Sequence, residues 1–221
     1  MPSYTNERVK EYCYNTLAKT KTSNNQNKAL RTLVVDLLNY GAQSQVYASY
    51  NTDKLVTADL TTIQNSWASN TVPTLNSILD IDYVAINNPT VAWTSAGLYL
   101  SDSVKIRFTI SAESIDNLVA TIDCAGKTYD IPSSDFVART DSENKYYIYF
   151  NNLTATQFSE PVYITVYNND TAVSNTLCYS VESYAYSKIG DGTQSSGDSK
   201  LDNLLISLIK YGKSAYDYVT P

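Results

Sequence analysis

Two stretches far apart in the chain carry the same pattern of apolar and polar positions. Ala29–Tyr50, ALRTLVVDLLNYGAQSQVYASY, places apolar residues at i, i+3, i+4, i+7 and i+8, and Lys200–Val219 does so again. That spacing is the stripe of an amphipathic helix with one buried face. Displaced by 171 positions, Leu30, Leu33, Val34, Leu37, Leu38, Tyr40, Gly41 and Tyr47 fall on Leu201, Leu204, Leu205, Leu208, Ile209, Tyr211, Gly212 and Tyr218. A helical glycine costs about 1 kcal/mol against alanine, so the Tyr-Gly step beside the stripe predicts close approach of a neighbouring backbone. Upstream, Val9–Leu17 reads against Val181–Ile189, displaced by 172. Each end of the chain is therefore expected to hold a short helix, a polar loop and a long helix. These form αα-hairpins over 1–58 and 180–221 that pack on each other through their stripes.

Between them the period changes from 3.6 to 2. Val104, Ile106, Phe108 and Ile110 alternate with Lys105, Arg107 and Thr109, and Leu118, Ala120, Ile122 and Cys124 alternate likewise. Further strands are expected near Ile78, over Thr128–Ile131, Tyr146–Phe150 and Val162–Val166, and over Val173–Tyr179, with turns at Ala125-Gly126 and Asn168-Asn169-Asp170. Such a run of short strands predicts an antiparallel immunoglobulin-like β-sandwich over 76–179, although the Cys-Trp-Cys signature of true immunoglobulin domains is absent. The fold class is α+β, a sandwich packed with two terminal αα-hairpins in a single composite domain, 1–221. Asp59–Asn76 is a long polar connector, and connectors of that length are usually functional or disordered. Ser199 and Asp202 have the spacing of a capping box for the last helix.

Composition narrows the chemistry. Net charge is −6 with no histidine, and the pI is about 4.6. A basic stripe for nucleic acid is missing, as are the usual general base and the usual zinc ligand. The chain has 20 Tyr against 4 Phe, 2 Trp and 1 Met, a mix suited to half-wet surfaces. Cys13, Cys124 and Cys178 are too few for a disulfide scaffold. If one bridge forms, Cys13 to Cys178 is favoured because both lie near helix starts; buried thiols are the plainer expectation. No stretch is apolar enough for a membrane span. Met1-Pro2-Ser3 carries no export signal and reads as a start placed before an excised module.

The candidate sites follow. Asp80 and Asp82 share one face of an expected strand, but a glycosidase needs two carboxylates across a cleft, and nothing else supports this pair. No histidine is present to activate a Ser or Cys nucleophile, so the chain is expected not to be an enzyme. Asp191–Asp198 offers oxygen ligands without the spacing of a calcium loop; no metal and no cofactor is expected. Sugar binding needs an accessible aromatic ring edged by amides and hydroxyls. Trp67, flanked by Asn65 and Asn70 among small polar residues, has that setting and is expected to be exposed. On this reading Trp67→Ala weakens binding without lowering the melting temperature. Trp93, with apolar neighbours, is assigned first to the sandwich core and second to the ligand. Tyr147, Tyr149, Tyr163 and Tyr167 point outward from their strands and could form a platform, unless the helices cover it.

The framework LVVDLLNYGAQSQVY, then a β region, then TLCYSVESYAYSK and LLISLIKYGKSAYDY, resembles a module of large surface proteins from anaerobic gut bacteria. The resemblance covers nearly the whole chain, through the paired Tyr-Gly steps and the Tyr179–Ala185 entry to the third helix. It implies a helix hairpin, an immunoglobulin-like sandwich and a second hairpin, at the cell surface beside flanking modules of a larger protein. Among proteins bearing the module are non-catalytic starch-adherence proteins of amylosome-type complexes. The resemblance thus implies polysaccharide binding, with starch-type α-glucan the first choice. A monomer is expected, and since the expected contacts are stacking and neutral hydrogen bonds, salt sensitivity is expected to be only moderate. A structural spacer or adhesion module is the alternative.

Overall fold

The apolar stripe near the N-terminus becomes α2 (Asn25–Tyr47) in the computed structural model, which describes residues 6–20, 24–70, 72–75, 84–101 and 103–220. The helix opens at Asn25, ahead of the apolar run, because the Asn24 side chain accepts from the Asn27 amide at 2.8 Å. Before it lies α1 (Asn6–Lys19), and the last helix is α5 (Ser199–Val219). The chain divides into two compact units, one of residues 1–75 with 188–221 and one of 76–187.

In the helical unit, Cys13 and Leu17 of α1 pack on Val34, Val35 and Leu38 of α2. Leu204, Leu205, Leu208 and Ile209 of α5 are buried too. Helices α2 and α5 run antiparallel, since Gln26 near the start of one donates to the Tyr218 carbonyl near the end of the other at 3.0 Å. Midway, Tyr40 and Tyr211 stack with centroids 5.8 Å apart and planes 6° from parallel. These tyrosines are counterparts in the internal echo, so the two copies meet at equivalent positions. At Gly41 the close neighbour is not a backbone: a Cβ there would lie 3.1 Å from the Val56 side chain.

The connector after α2 is ordered. Thr61 and Gln64 form a capping box that opens α3 (Thr62–Asn65). Beyond it, Asp36 of α2 is only 1% exposed and accepts from the Ser69 amide at 3.0 Å and the Ser69 hydroxyl at 2.5 Å. Lys210 of α5 donates to the Ser69 carbonyl at 2.9 Å. Ser69 is thereby tied to both long helices. At the start of α5 the cap is Asp198, whose carboxylate accepts from the amides of Lys200 and Leu201 at 2.9 and 3.3 Å. Asp202, expected in a capping box with Ser199, turns back instead to accept from the hydroxyls of Ser195 and Ser196, both at 2.6 Å.

The other unit holds two antiparallel sheets. One has the order β1 (Ala92–Leu100), β2 (Val104–Ser111), β6 (Lys145–Phe150), β5 (Val137–Ala138). The second has the order β4 (Lys127–Pro132), β3 (Leu118–Cys124), β7 (Val162–Asn168), β8 (Thr171–Ala172), with β9 (Leu177–Tyr179) also on β7. Ile106, Phe108, Ile110, Ile148 and Phe150 of the first share a core with Ala120, Ile122, Val162, Ile164 and Val166 of the second. The Ala125-Gly126 turn has φ of 48° and 73°, the two-residue turn that matches strand twist.

Three expectations need adjusting. Strand β1 is not among the expected strands, because its Thr, Ser and Gly positions mask the alternation, which a bulge between Trp93 and Ser95 also breaks; the strand expected near Ile78 falls outside the described residues. Of the expected strand Val173–Tyr179 only Leu177–Tyr179 forms a strand, β9, while the short β8 at Thr171–Ala172 precedes it. The helix expected at Val181 is α4 (Val181–Ile189), whose residues up to Ser187 group with the sheets rather than with the other helices. All three cysteines are buried free thiols, and burial pushes the Cys13 thiol up to about 11.

Two outcomes are expected. Asp36→Ala leaves the Ser69 amide and hydroxyl without their acceptor and should destabilise the helical unit by about 1–3 kcal/mol; an unchanged melting curve would rule out the clamp. The hydroxyls of Ser195 and Ser196 hold the Asp202 carboxyl below the usual Asp range. A depressed folded value contributes stability above the ordinary Asp pKa and loses it as pH falls through the folded one. Carboxyl-carbon NMR should find Asp202 titrating below an ordinary Asp, and the double substitution Ser195→Ala with Ser196→Ala should return it to that range.

Candidate functional site

The outer face of the four-stranded sheet is fixed by what lies beneath it. Burying Ile106, Phe108 and Ile110 on β2, and Ile148 and Phe150 on β6, turns Lys105 and Arg107 with Tyr147 and Tyr149 to the opposite side. The register sets Arg107 opposite Tyr149 on β6 and opposite Gly97 on β1, Thr109 opposite Tyr147, and Lys105 opposite Tyr99. Three tyrosines from two strands therefore converge. Tyr99 and Tyr149 meet edge to face at 5.3 Å, and Tyr147 and Tyr149 lie 6.1 Å apart. Tyr99 is 42% exposed; Tyr147 and Tyr149 are half-buried.

Two guanidinium groups cover Tyr147. That of Arg107 is 4.6 Å from the ring centroid and that of Arg139 is 5.4 Å, within cation–π range. Arg139 is held by a bidentate pair with Asp141 at 2.8 and 2.6 Å. That hydrogen bonding holds the Asp141 carboxyl below its usual range. Next to this face a shallow groove of about 400 Å³ is lined by Tyr129, Asp130, Ile131, Asp135, Tyr149, Asn151 and Asn152. Tyr149 belongs to both, so an aromatic surface passes directly into a groove edged by amides and carboxylates. The chemistry on offer is ring stacking at Tyr99 and Tyr149, hydrogen bonding in the groove and a cationic group at Arg107.

The residues expected to bind sugar are dispersed. Trp67 is half-buried and packs on the α1–α2 core, with the Arg31 guanidinium 5.3 Å from its ring centroid. Its polar neighbours in sequence suggested exposure, but the Asp36–Ser69 clamp pulls the connector onto the helices and carries the ring with it. Asn65 and Asn70 are exposed on the same connector. Trp93 packs on the sandwich core, and its indole N–H donates to the Asn175 carbonyl at 2.7 Å. Tyr147 and Tyr149 share a face, whereas Tyr163 and Tyr167 lie on β7 of the other sheet, so the four do not make one platform. Asp80 and Asp82 lie outside the described residues. Asp191, offered as an oxygen ligand, accepts from the Thr193 hydroxyl at 2.5 Å.

Tyr99, Arg107, Arg139, Asn151 and Asn152 were not singled out from the sequence. The alternation of β2 does place Arg107 outward, but only the strand register shows that Tyr99 and Tyr149 flank it. Among the described residues no group of three or more Cys, Asp or Glu is placed to hold a metal ion, and no helix is long and apolar enough to cross a membrane. Comparison with family models, curated proteins and solved structures finds no match to this chain.

Packing reverses one expectation about the tryptophans. Trp67→Ala should now lower stability by about 1–3 kcal/mol, because the ring covers part of the helical core. Trp93→Phe should cost about 0.5–1.5 kcal/mol through the lost bond to Asn175. Thermal melts of both variants check this; a Trp67→Ala melt matching wild type would show that the ring contributes nothing to packing.

Proposed function

We propose that the chain is a non-catalytic polysaccharide-binding module whose site is the outer face of the β1-β2-β6-β5 sheet. The observation that carries the reading is the contact between Tyr99 and Tyr149, two accessible rings beside a groove lined with Asn151, Asn152 and Asp135. Pyranose rings present apolar C–H faces to aromatic surfaces and hydroxyls to amides and carboxylates. A shallow, open site suits a segment of a long polymer rather than a small enclosed substrate. The resemblance to surface modules of anaerobic gut bacteria supports the same reading. It adds an immunoglobulin-like sandwich between terminal helix hairpins, extracellular placement on a parent protein with flanking modules, monomeric behaviour, and starch-type α-glucan as the first polymer to try. The absence of histidine favours binding over catalysis.

A spacer that only projects neighbouring modules is the rival reading, favoured by the tight internal packing of both tryptophans. Titrations with maltooligosaccharides, and pull-downs on insoluble starch, cellulose and xylan, separate the two. Tyr149→Ala and Tyr99→Ala should each weaken binding roughly three- to tenfold, while Tyr163→Ala, on the other sheet, should not. Absence of saturable binding to every glycan tried would leave the spacer reading in place.

A further inference from the structure

The four strands under the aromatic face contain no Asp or Glu, although the chain as a whole carries a net charge of −6. They do contain Lys105, Arg107 and Lys145. Arg139, just past β5, is neutralised by Asp141, and Asp141 also feels the charge of Lys145. Arg107 differs. Among the described residues it has no carboxylate at ion-pair distance and no hydrogen-bond acceptor; its one recorded partner is the Tyr147 ring. Its fork of five N–H donors is thus held in place by stacking while its hydrogen-bonding capacity stays unspent. Gly97, directly across on β1, carries no side chain of its own, and the Tyr184 ring of α4 lies 3.7 Å from where its Cβ would stand. A guanidinium held over an aromatic ring, on strands that carry no acid, is matched to a carboxylate.

The groove beyond Tyr149 has the opposite charge, since Asp130 and Asp135 line it. A polymer with an acid on every residue would be attracted at Arg107 and repelled a short way along. The geometry points to an acidic heteropolysaccharide, one in which a uronic acid residue neighbours neutral sugars. Its carboxylate pairs with Arg107 above Tyr147, and the adjoining neutral residue stacks on Tyr149 and Tyr99 and reaches Asn151 and Asn152. This inference rests on the polysaccharide-binding reading and replaces the preference for a neutral α-glucan by a preference set by charge.

The test uses the full chain with glucuronoxylan and with the same polymer after its carboxyl groups have been reduced to neutral hydroxymethyl groups. Soluble starch serves as the neutral reference. Wild type should bind native glucuronoxylan roughly tenfold or more tighter than the reduced polymer, with the gap narrowing as sodium chloride is raised. Arg107→Gln should abolish the gap, so that the variant binds native and reduced polymer equally. Arg107→Lys, which retains charge but not the fork, should restore only part of the gap, and thermal melts confirm that each variant is folded. Equal wild-type binding to native and reduced polymer, lost in Tyr149→Ala, would overturn the acidic-ligand inference and leave polysaccharide binding intact. No binding to native polymer, reduced polymer or starch would overturn both.

Discussion

Ile106, Phe108 and Ile110 on β2 are completely buried, and the face on the other side of that strand depends on this. A strand has a side-chain period of two, so three fixed inward positions leave Lys105, Arg107 and Thr109 no choice of side. Antiparallel pairing then transmits the choice to the neighbours. Because Arg107 lies opposite Tyr149, and Tyr149 alternates with buried Ile148 and Phe150, the second strand is locked in the same phase. A slip of one residue in either pairing would send a ring or a cation into the core, which is why such registers are strongly specified.

A comparable logic governs the helical unit. Its two long helices are echoes of each other in sequence, and their counterpart tyrosines, Tyr40 and Tyr211, stack at the crossing. What the echo does not contain is the connector. A single buried carboxylate, Asp36, and the ammonium of Lys210 hold Ser69 by its amide, hydroxyl and carbonyl. A buried carboxylate is costly unless hydrogen-bonded, so Asp36 and Ser69 depend on each other. The connector's path, and with it the half-burial of Trp67, follows from that mutual dependence.

The charge distribution links fold and chemistry. Acids sit in loops, on helices and on the five-stranded sheet, where Asp123 and Asp130 are hydrogen-bonded to the threonines Thr128 and Thr121. The strands of the four-stranded sheet carry none, and Asp141, which reaches the aromatic face, is paired with Arg139, so that face is set apart from an acidic chain both by shape and by sign. Rings alone would suit any sugar. Rings beside an unpaired guanidinium define a narrower class of ligand.

The sequence by itself determined the elements whose periodicity is strong. The stripes of α2 and α5, the alternation of β2, β3, β6 and β7, and the packing of Trp93 on the core could all be read from local pattern, because burial of one face imposes a period that propensity alone does not. It could not show β1, whose bulge and small polar residues break the alternation, nor the fate of Trp67, whose neighbours in the chain are polar while in space it packs on the apolar core of α1 and α2 under the Arg31 guanidinium. Nor could it gather the site. Tyr99, Arg107 and Tyr149 come from three strands, and their adjacency is a property of register, set by long-range pairing of residues up to 50 positions apart, as Tyr99 is from Tyr149. Local pattern fixes which side a residue faces; only tertiary pairing decides what stands beside it.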